Sequence, residues 1–156
     1  MNIFVLDYDL EKCAQYHVDR HVVKMVTETA QLLSSAFYFT GEEVPEGIYQ
    51  KGNANHPCAK WARESLSNWR WLKELGLALY KEYKHRYGDK QHKAGEVILH
   101  MPEPNLIDIG LTKHVQAVTP DCKMDDVVEA YRKYYNVEKR HLFAWKKRNI
   151  PEWIEQ

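Results

Sequence analysis

Between residues 17 and 37 the polar and apolar positions separate with a helical period. His17, His21, Lys24, Glu28, Gln31 and Ser35 fall within about 40° of one line on an α-helix. Val22, Val23, Met25, Val26, Ala30, Leu32, Leu33, Ala36 and Phe37 take the other side. The pattern predicts a long helix from Asp19 to about Phe39, preceded by a shorter one from about Leu10 to Val18 that Asp7 or Asp9 can cap. The polar stripe crosses the Val18-Asp19 junction, so a kink there removes His17 from it first. Ahead of these helices, Ile3 to Leu6 is an apolar run suited to a buried strand or an extended lead-in.

Thr40 to Asn55 has the glycines, proline and acidic pair of a loop. Asn55-His56-Pro57 then opens a helix, with Pro57 at the first helical position, running from Cys58 to about Arg86 and stopped by Gly88. On it, Trp61, Glu64, Asn68, Trp71 and Leu75 form a second stripe, with Arg63, Ser67 and Arg70 beside it. Lys90 to His100 is a further helical candidate, and the proline-rich stretch to Pro120 reads as irregular. From Asp125 a capped helix begins, with a bend expected near Asn136 and an end before Pro151. The expectation is a mostly α fold: a single-domain helical bundle with a short N-terminal extended segment, spanning residues 1–156.

Charge changes the picture by exclusion. Basic and acidic side chains balance at 22 each, which argues against the uniformly basic surface of a dedicated duplex-DNA binder. The positive charge is local: Arg132, Lys133, Lys139, Arg140, Lys146, Lys147 and Arg148 cluster near the C-terminus, interleaved with Tyr131, Tyr134, Tyr135, Phe143 and Trp145. Basic plus aromatic is the pairing that holds phosphate and base. Three widely spaced cysteines, Cys13, Cys58 and Cys122, show no zinc-ribbon spacing and read as reduced thiols of an intracellular protein. No apolar run approaches membrane-spanning length.

The first stripe mixes two His, a Lys, a Glu, a Gln and a Ser, groups that move protons or hydrogen-bond a ligand. His17 and His21 have the i, i+4 spacing of metal ligands, but no third ligand accompanies them, and neither metal nor cofactor is expected. His21 and Glu28 lie two turns apart on one face, placed to serve as acid and base around a substrate or to bind a polar ligand without reaction. Trp61 or Trp71 is a candidate stacking platform, with Arg63, Glu64 and Asn68 reading polar edges. Antiparallel packing of the two long helices would turn both stripes into one cleft. Walker, Rossmann and nucleophile-elbow glycine motifs are absent.

Met-Asn-Ile-Phe-Val-Leu-Asp at the start, Asp19-Arg-His-Val-Val-Lys-Met25, Glu28-Thr-Ala-Gln-Leu-Leu33, Asn55-His-Pro-Cys58, Trp61-Ala-Arg-Glu-Ser65, Arg86-Tyr-Gly88, Ala130-Tyr-Arg-Lys-Tyr-Tyr135 and Lys147-Arg-Asn-Ile-Pro-Glu-Trp153 resemble a widespread family of small tailed-phage proteins. That resemblance implies residence in the cytoplasm of a phage-infected host cell. Asp19, His21 and Glu28 also resemble the phage pyrimidine-dimer glycosylase type, whose Asp-x-His is followed, seven residues after the His, by a catalytic Glu. Those enzymes use the amine of a processed N-terminal Thr, whereas this chain begins Met1-Asn2, where a bulky second residue disfavours Met removal. In kind, the neutral, aromatic-rich inventory is similar to phage proteins that sequester nucleotide immune signals such as cyclic dinucleotides or cyclic ADP-ribose isomers.

Two expectations follow. The first is a binding protein for a nucleotide-derived small molecule, blocking host defence and forming a homo-oligomer. Its site would comprise His17, His21, Lys24, Glu28, Gln31, Trp61, Arg63, Asn68, Trp71, Tyr131, Lys139, Trp145 and Arg148. The alternative is a glycosylase or lyase acting on DNA or a nucleotide, with Glu28 as acid or base, His21 beside it, and Lys24 as amine nucleophile if burial lowers its pKa. Duplex DNA is a partner only under this alternative.

Overall fold

The structure, a computed structural model, describes residues 1–156 and is all helical. Six α-helices form: α1 (Leu10–Tyr16), α2 (Asp19–Ala36), α3 (Pro57–Glu64), α4 (Leu66–Tyr87), α5 (Lys93–His100) and α6 (Val127–Glu138). Single 3₁₀ turns occur at Phe37–Phe39, Pro120–Cys122 and Arg140–Leu142. The side chains of Asp9, His56, His92 and Asp126 cap α1, α3, α5 and α6, each accepting a first-turn N–H.

Helix α2 is the centre of the bundle and packs against α3, α4 and α5, while α1 lies on α4. Its apolar face, Val22, Met25, Val26, Ala30, Leu32 and Leu33, is almost fully withdrawn from water, as the period predicts. Ile3, Phe4, Val5 and Leu6 pair with no strand; they run extended and buried through this core. At about 1.5–3 kcal/mol for each large apolar side chain removed from water, this segment is a principal part of the core.

Besides the end of α6 at Glu138, well short of the expected end near Pro151, two helix boundaries differ from the sequence expectation. The first is the end of α1 at Tyr16, with His17 and Val18 extended, so His17 leaves the polar stripe. Its ring is buried and its Nδ1–H donates to the Cys13 carbonyl at 2.6 Å. The second is a break at Ser65 (φ −152°, ψ 144°) that divides the expected Cys58–Arg86 helix. Ser65 Oγ–H donates to Asp108 Oδ1 and accepts the Ile109 N–H, while the Leu66 N–H donates to the Ile107 carbonyl. A distant loop thus takes over bonds that helix continuation would have used.

Arg86, fully buried, locks the α1–α2 corner to α4. Its guanidinium donates to the Gln15 and His17 carbonyls, to Asp19 Oδ1 and to Glu82 Oε2 at 2.8–3.0 Å. The free carbonyls at the end of α1 are satisfied by a side chain rather than by water. Arg148 closes the network from the C-terminal segment with a two-pronged pair to Glu82. Arg148 is therefore engaged in the ion-pair network that holds the corner.

Candidate active site

The buried run Ile3–Leu6 draws the chain's first residue against the polar face of α2. Asn2 fixes it there: its Nδ2–H donates to the Ala117 carbonyl (2.9 Å), and its Oδ1 accepts the Ile3 N–H (2.8 Å) and the Tyr131 hydroxyl (2.7 Å). The α-amine of Met1 then lies 3.2 Å from Glu28 Oε1, with side-chain exposures of 7% and 11% for the two residues. Lys24 Nζ approaches the other oxygen, Oε2, at 3.7 Å. His56 completes the neighbourhood. Its Nδ1 accepts the Cys58 N–H, which leaves the ring proton on Nε2. Its pKa is lowered first by burial and then by the nearby N-terminal ammonium, with Glu28 opposing.

A carboxylate at this distance can exchange a proton with the amine, and the amine is a nucleophile once it has given that proton up. Lys24, by contrast, is 69% exposed, so the burial required of a lysine nucleophile is missing. Of the two amines beside Glu28, that of Met1 is the enclosed one.

One turn before Lys24 on α2, His21 is buried and stacked on Phe4, with ring centroids 4.4 Å apart. Tyr135 Oη accepts the Val18 N–H and hydrogen-bonds His21 Nδ1 at 2.7 Å. With the hydroxyl as donor in that bond, the His21 proton is assigned to Nε2. Burial, followed by the positive neighbours His17, Lys139 and Lys24, pushes the pKa of His21 down to about 3, so the ring stays a neutral donor. His21 lines a cavity of about 660 Å³ together with Arg20, Lys24, Lys139 and His141, opposed by Asp19. That wall suits a phosphate backbone.

Across residues 1–94 the sequence matches the family described as pyrimidine dimer DNA glycosylase, which is more than half of the chain. The chain belongs to the pyrimidine dimer DNA glycosylase family. No curated protein and no solved structure matches it significantly.

The family match covers Met1, His21, Lys24, Glu28 and His56. Tyr131, Tyr135 and Lys139, which hold Asn2, orient His21 and line the cavity, come from beyond it. Of the residues expected at one cleft, His21, Lys24 and Lys139 line the same cavity, and Lys24 also reaches Glu28. Gln31 is half-buried on the turn after Glu28. The second stripe goes elsewhere: Trp61 and Arg63 line a separate cavity of about 650 Å³ with Phe39, Lys60, Glu64 and Lys113. His114 stacks on one face of Trp61 at 4.7 Å and meets Trp71 edge-on at 4.5 Å.

Asn68 is buried and holds the Trp61 carbonyl and Thr112. Tyr131 is buried, with its hydroxyl on Asn2 rather than on a ligand. Trp145 donates its indole N–H to the Tyr16 carbonyl and packs on Phe143. Asp19 of the Asp-x-His motif serves Arg86 and the Lys146 N–H, a corner-holding role.

Three contributors were not among the expected site residues: the Met1 amine, Asn2 and His56. The signal for the first was present, since the α-nitrogen is independent of the side chain that carries it.

No helix is long and apolar enough to cross a membrane. No group of three or more His, Cys, Asp or Glu is arranged to hold a metal ion.

Proposed function

We propose that this protein is a DNA glycosylase that works through the α-amine of Met1, with Glu28 as its proton-transfer partner. The observation that carries this reading is the 3.2 Å contact between that amine and Glu28 Oε1, reached by burying both. Family membership supports the same reading and favours a pyrimidine-dimer lesion in DNA as substrate. The sequestering alternative has no comparable support, since its stacking residues Trp61 and Trp71 are already packed on His114.

The chemistry follows from the atoms in place. The neutral amine attacks C1′ of the lesion nucleotide, and the N-glycosidic bond breaks with its electron pair leaving on the base. The nitrogen, now bound to C1′, passes a proton to Glu28. Glu28 returns it to the ring oxygen as the C1′–O4′ bond opens, which leaves an iminium between Met1 and the sugar. Water attack on the iminium releases the amine and the aldehyde sugar. Arg20, Lys24 and Lys139 hold the flanking phosphates, and the His21 Nε2–H adds a donor that carries no charge to neutralise the nearby carboxylate.

Borohydride reduction traps such an iminium as a stable secondary amine. The expected product with a dimer-containing duplex is a covalent protein–DNA species whose peptide map places the adduct on Met1. Cleaved or base-free DNA without any Met1 adduct would overturn the proposal.

A further inference from the structure

The irregular segment between α5 and α6 projects an apolar tip. Ile107, Ile109 and Leu111 are 81%, 63% and 54% exposed. Three aliphatic side chains within five residues of a surface loop make a patch of the kind that a partner covers. The tip is nonetheless fixed in shape. Asp108 Oδ1 accepts from the Ser65 hydroxyl, the Ser67 hydroxyl and N–H, and the Gly110 N–H, all at 2.7–3.2 Å. The Ile109 N–H donates to Ser65 Oγ, and the Thr112 N–H donates to Asn68 Oδ1. Gly110, at φ +83°, makes the turn between Ile109 and Leu111 without strain.

The surroundings say what the tip meets. The base of the loop, Leu106, Lys113 and Val115, lines one cavity with Lys60 and Arg63, and the one carboxylate there, Glu64, is bound by the Thr112 hydroxyl. From Leu111 the chain runs on to Ala117, whose carbonyl holds Asn2 beside the reactive amine. Six residues span at most about 20 Å, or roughly six steps of a duplex at 3.4 Å per base pair. The tip therefore lies within about 20 Å of the residue that holds Asn2. A two-fold contact between copies would instead bring Lys60, Arg63 and Lys113 against their own mates.

Resting on the glycosylase reading, we infer that Ile107, Ile109 and Leu111 form a wedge that enters the base stack of duplex DNA near the lesion. Aliphatic side chains flanked by cations open base steps in this way and kink the helix. The wedge lies outside the family-matched residues 1–94 and needs no chemistry of its own.

The test uses the full chain with Ile107→Ser, Ile109→Ser and Leu111→Ser together, substitutions that leave the buried core intact. The probes are a duplex with 2-aminopurine beside a stable abasic analogue, and borohydride trapping on duplex and on single-stranded abasic DNA. Wild type raises 2-aminopurine fluorescence. The variant is expected to lose that rise, to trap duplex at least about tenfold more slowly, and to trap the single strand, which has no stack to open, at the wild-type rate. Undiminished unstacking and duplex trapping would overturn the wedge, as would an equal loss on single-stranded DNA. Failure of the wild type to trap either substrate would overturn the glycosylase reading and the wedge with it.

Discussion

Glu28→Gln keeps the shape of the side chain and removes its charge. At 3.2 Å two unit charges attract by about 5 kcal/mol if the effective dielectric is near 20. Losing one partner of a buried pair costs about 3–5 kcal/mol. The net loss here is smaller, because the Gln carbonyl still accepts a hydrogen bond and Lys24 loses only an exposed contact. A stability loss of about 1–3 kcal/mol is expected, lowering Tm by several degrees. The chemical effect is larger: a proton-transfer group contributes roughly 10²- to 10⁴-fold. Single-turnover borohydride trapping on a dimer-containing duplex, with a thermal melt of the same sample, separates the two effects. The variant should melt as a folded protein and trap at least about 100-fold more slowly. Acetylation of the Met1 amine leaves Glu28 in place and should abolish trapping. Trapping within about threefold of wild type by either protein would refute the pairing as the reactive centre.

Tyr135→Phe removes the hydroxyl that serves both the His21 Nδ1 and the Val18 N–H, at an expected cost of about 1–3 kcal/mol. Nitrogen NMR of the His21 ring should show the loss of a single tautomer, and an unchanged ring spectrum would contradict the assignment. Burial pushes the pKa of His17 down to about 4 and that of His21 to about 3. The unfolded chain takes up those protons first, near the ordinary histidine pKa of about 6.5, so the histidine contribution is complete above that pH. It declines as pH falls from there towards 4, by up to about 1.4 kcal/mol per unit per histidine; urea midpoints that stay flat from pH 7 to 4.5 would refute this. Arg86→Ala leaves Glu82 and two α1 carbonyls short of donors and should cost about 3–5 kcal/mol in urea unfolding. Lys139→Ala should weaken duplex binding uniformly across sequences and reduce its salt slope by about one unit.

The α2 stripe was legible because a period of 3.6 and a buried centre agree, and the chain obeys it from His21 to Ser35. Glu28 and His21 therefore emerged as a pair from spacing alone. His17 did not belong, because two extended residues reset the helical phase before Asp19. The break at Ser65 had no local signature: neither Gly nor Pro marks it, and its cause is Asp108, 43 residues away. Trp61 and Trp71 have the composition of a stacking site, yet His114 from the irregular segment packs against both. Arg148 looked like a phosphate ligand within a basic cluster, but its partner Glu82 lies on another helix and is invisible to spacing. The terminal amine was weighed and set aside because Met1-Asn2 stands where the resembling enzymes have a processed Thr; its approach to Glu28 depends on the buried Ile3–Leu6 run and shows only in the fold.

Threading Ile3–Leu6 through the core ties reactivity to folding. A newly made or locally unravelled chain carries the same nitrogen and the same carboxylate, but nothing holds them together until α2, α6 and the Ala117 strap close around Asn2. Under the proposed mechanism, competence to attack a sugar comes only with the native state and goes at its first fraying. A molecule so arranged does little harm while immature, and its working life is set by the stability of one six-residue tether.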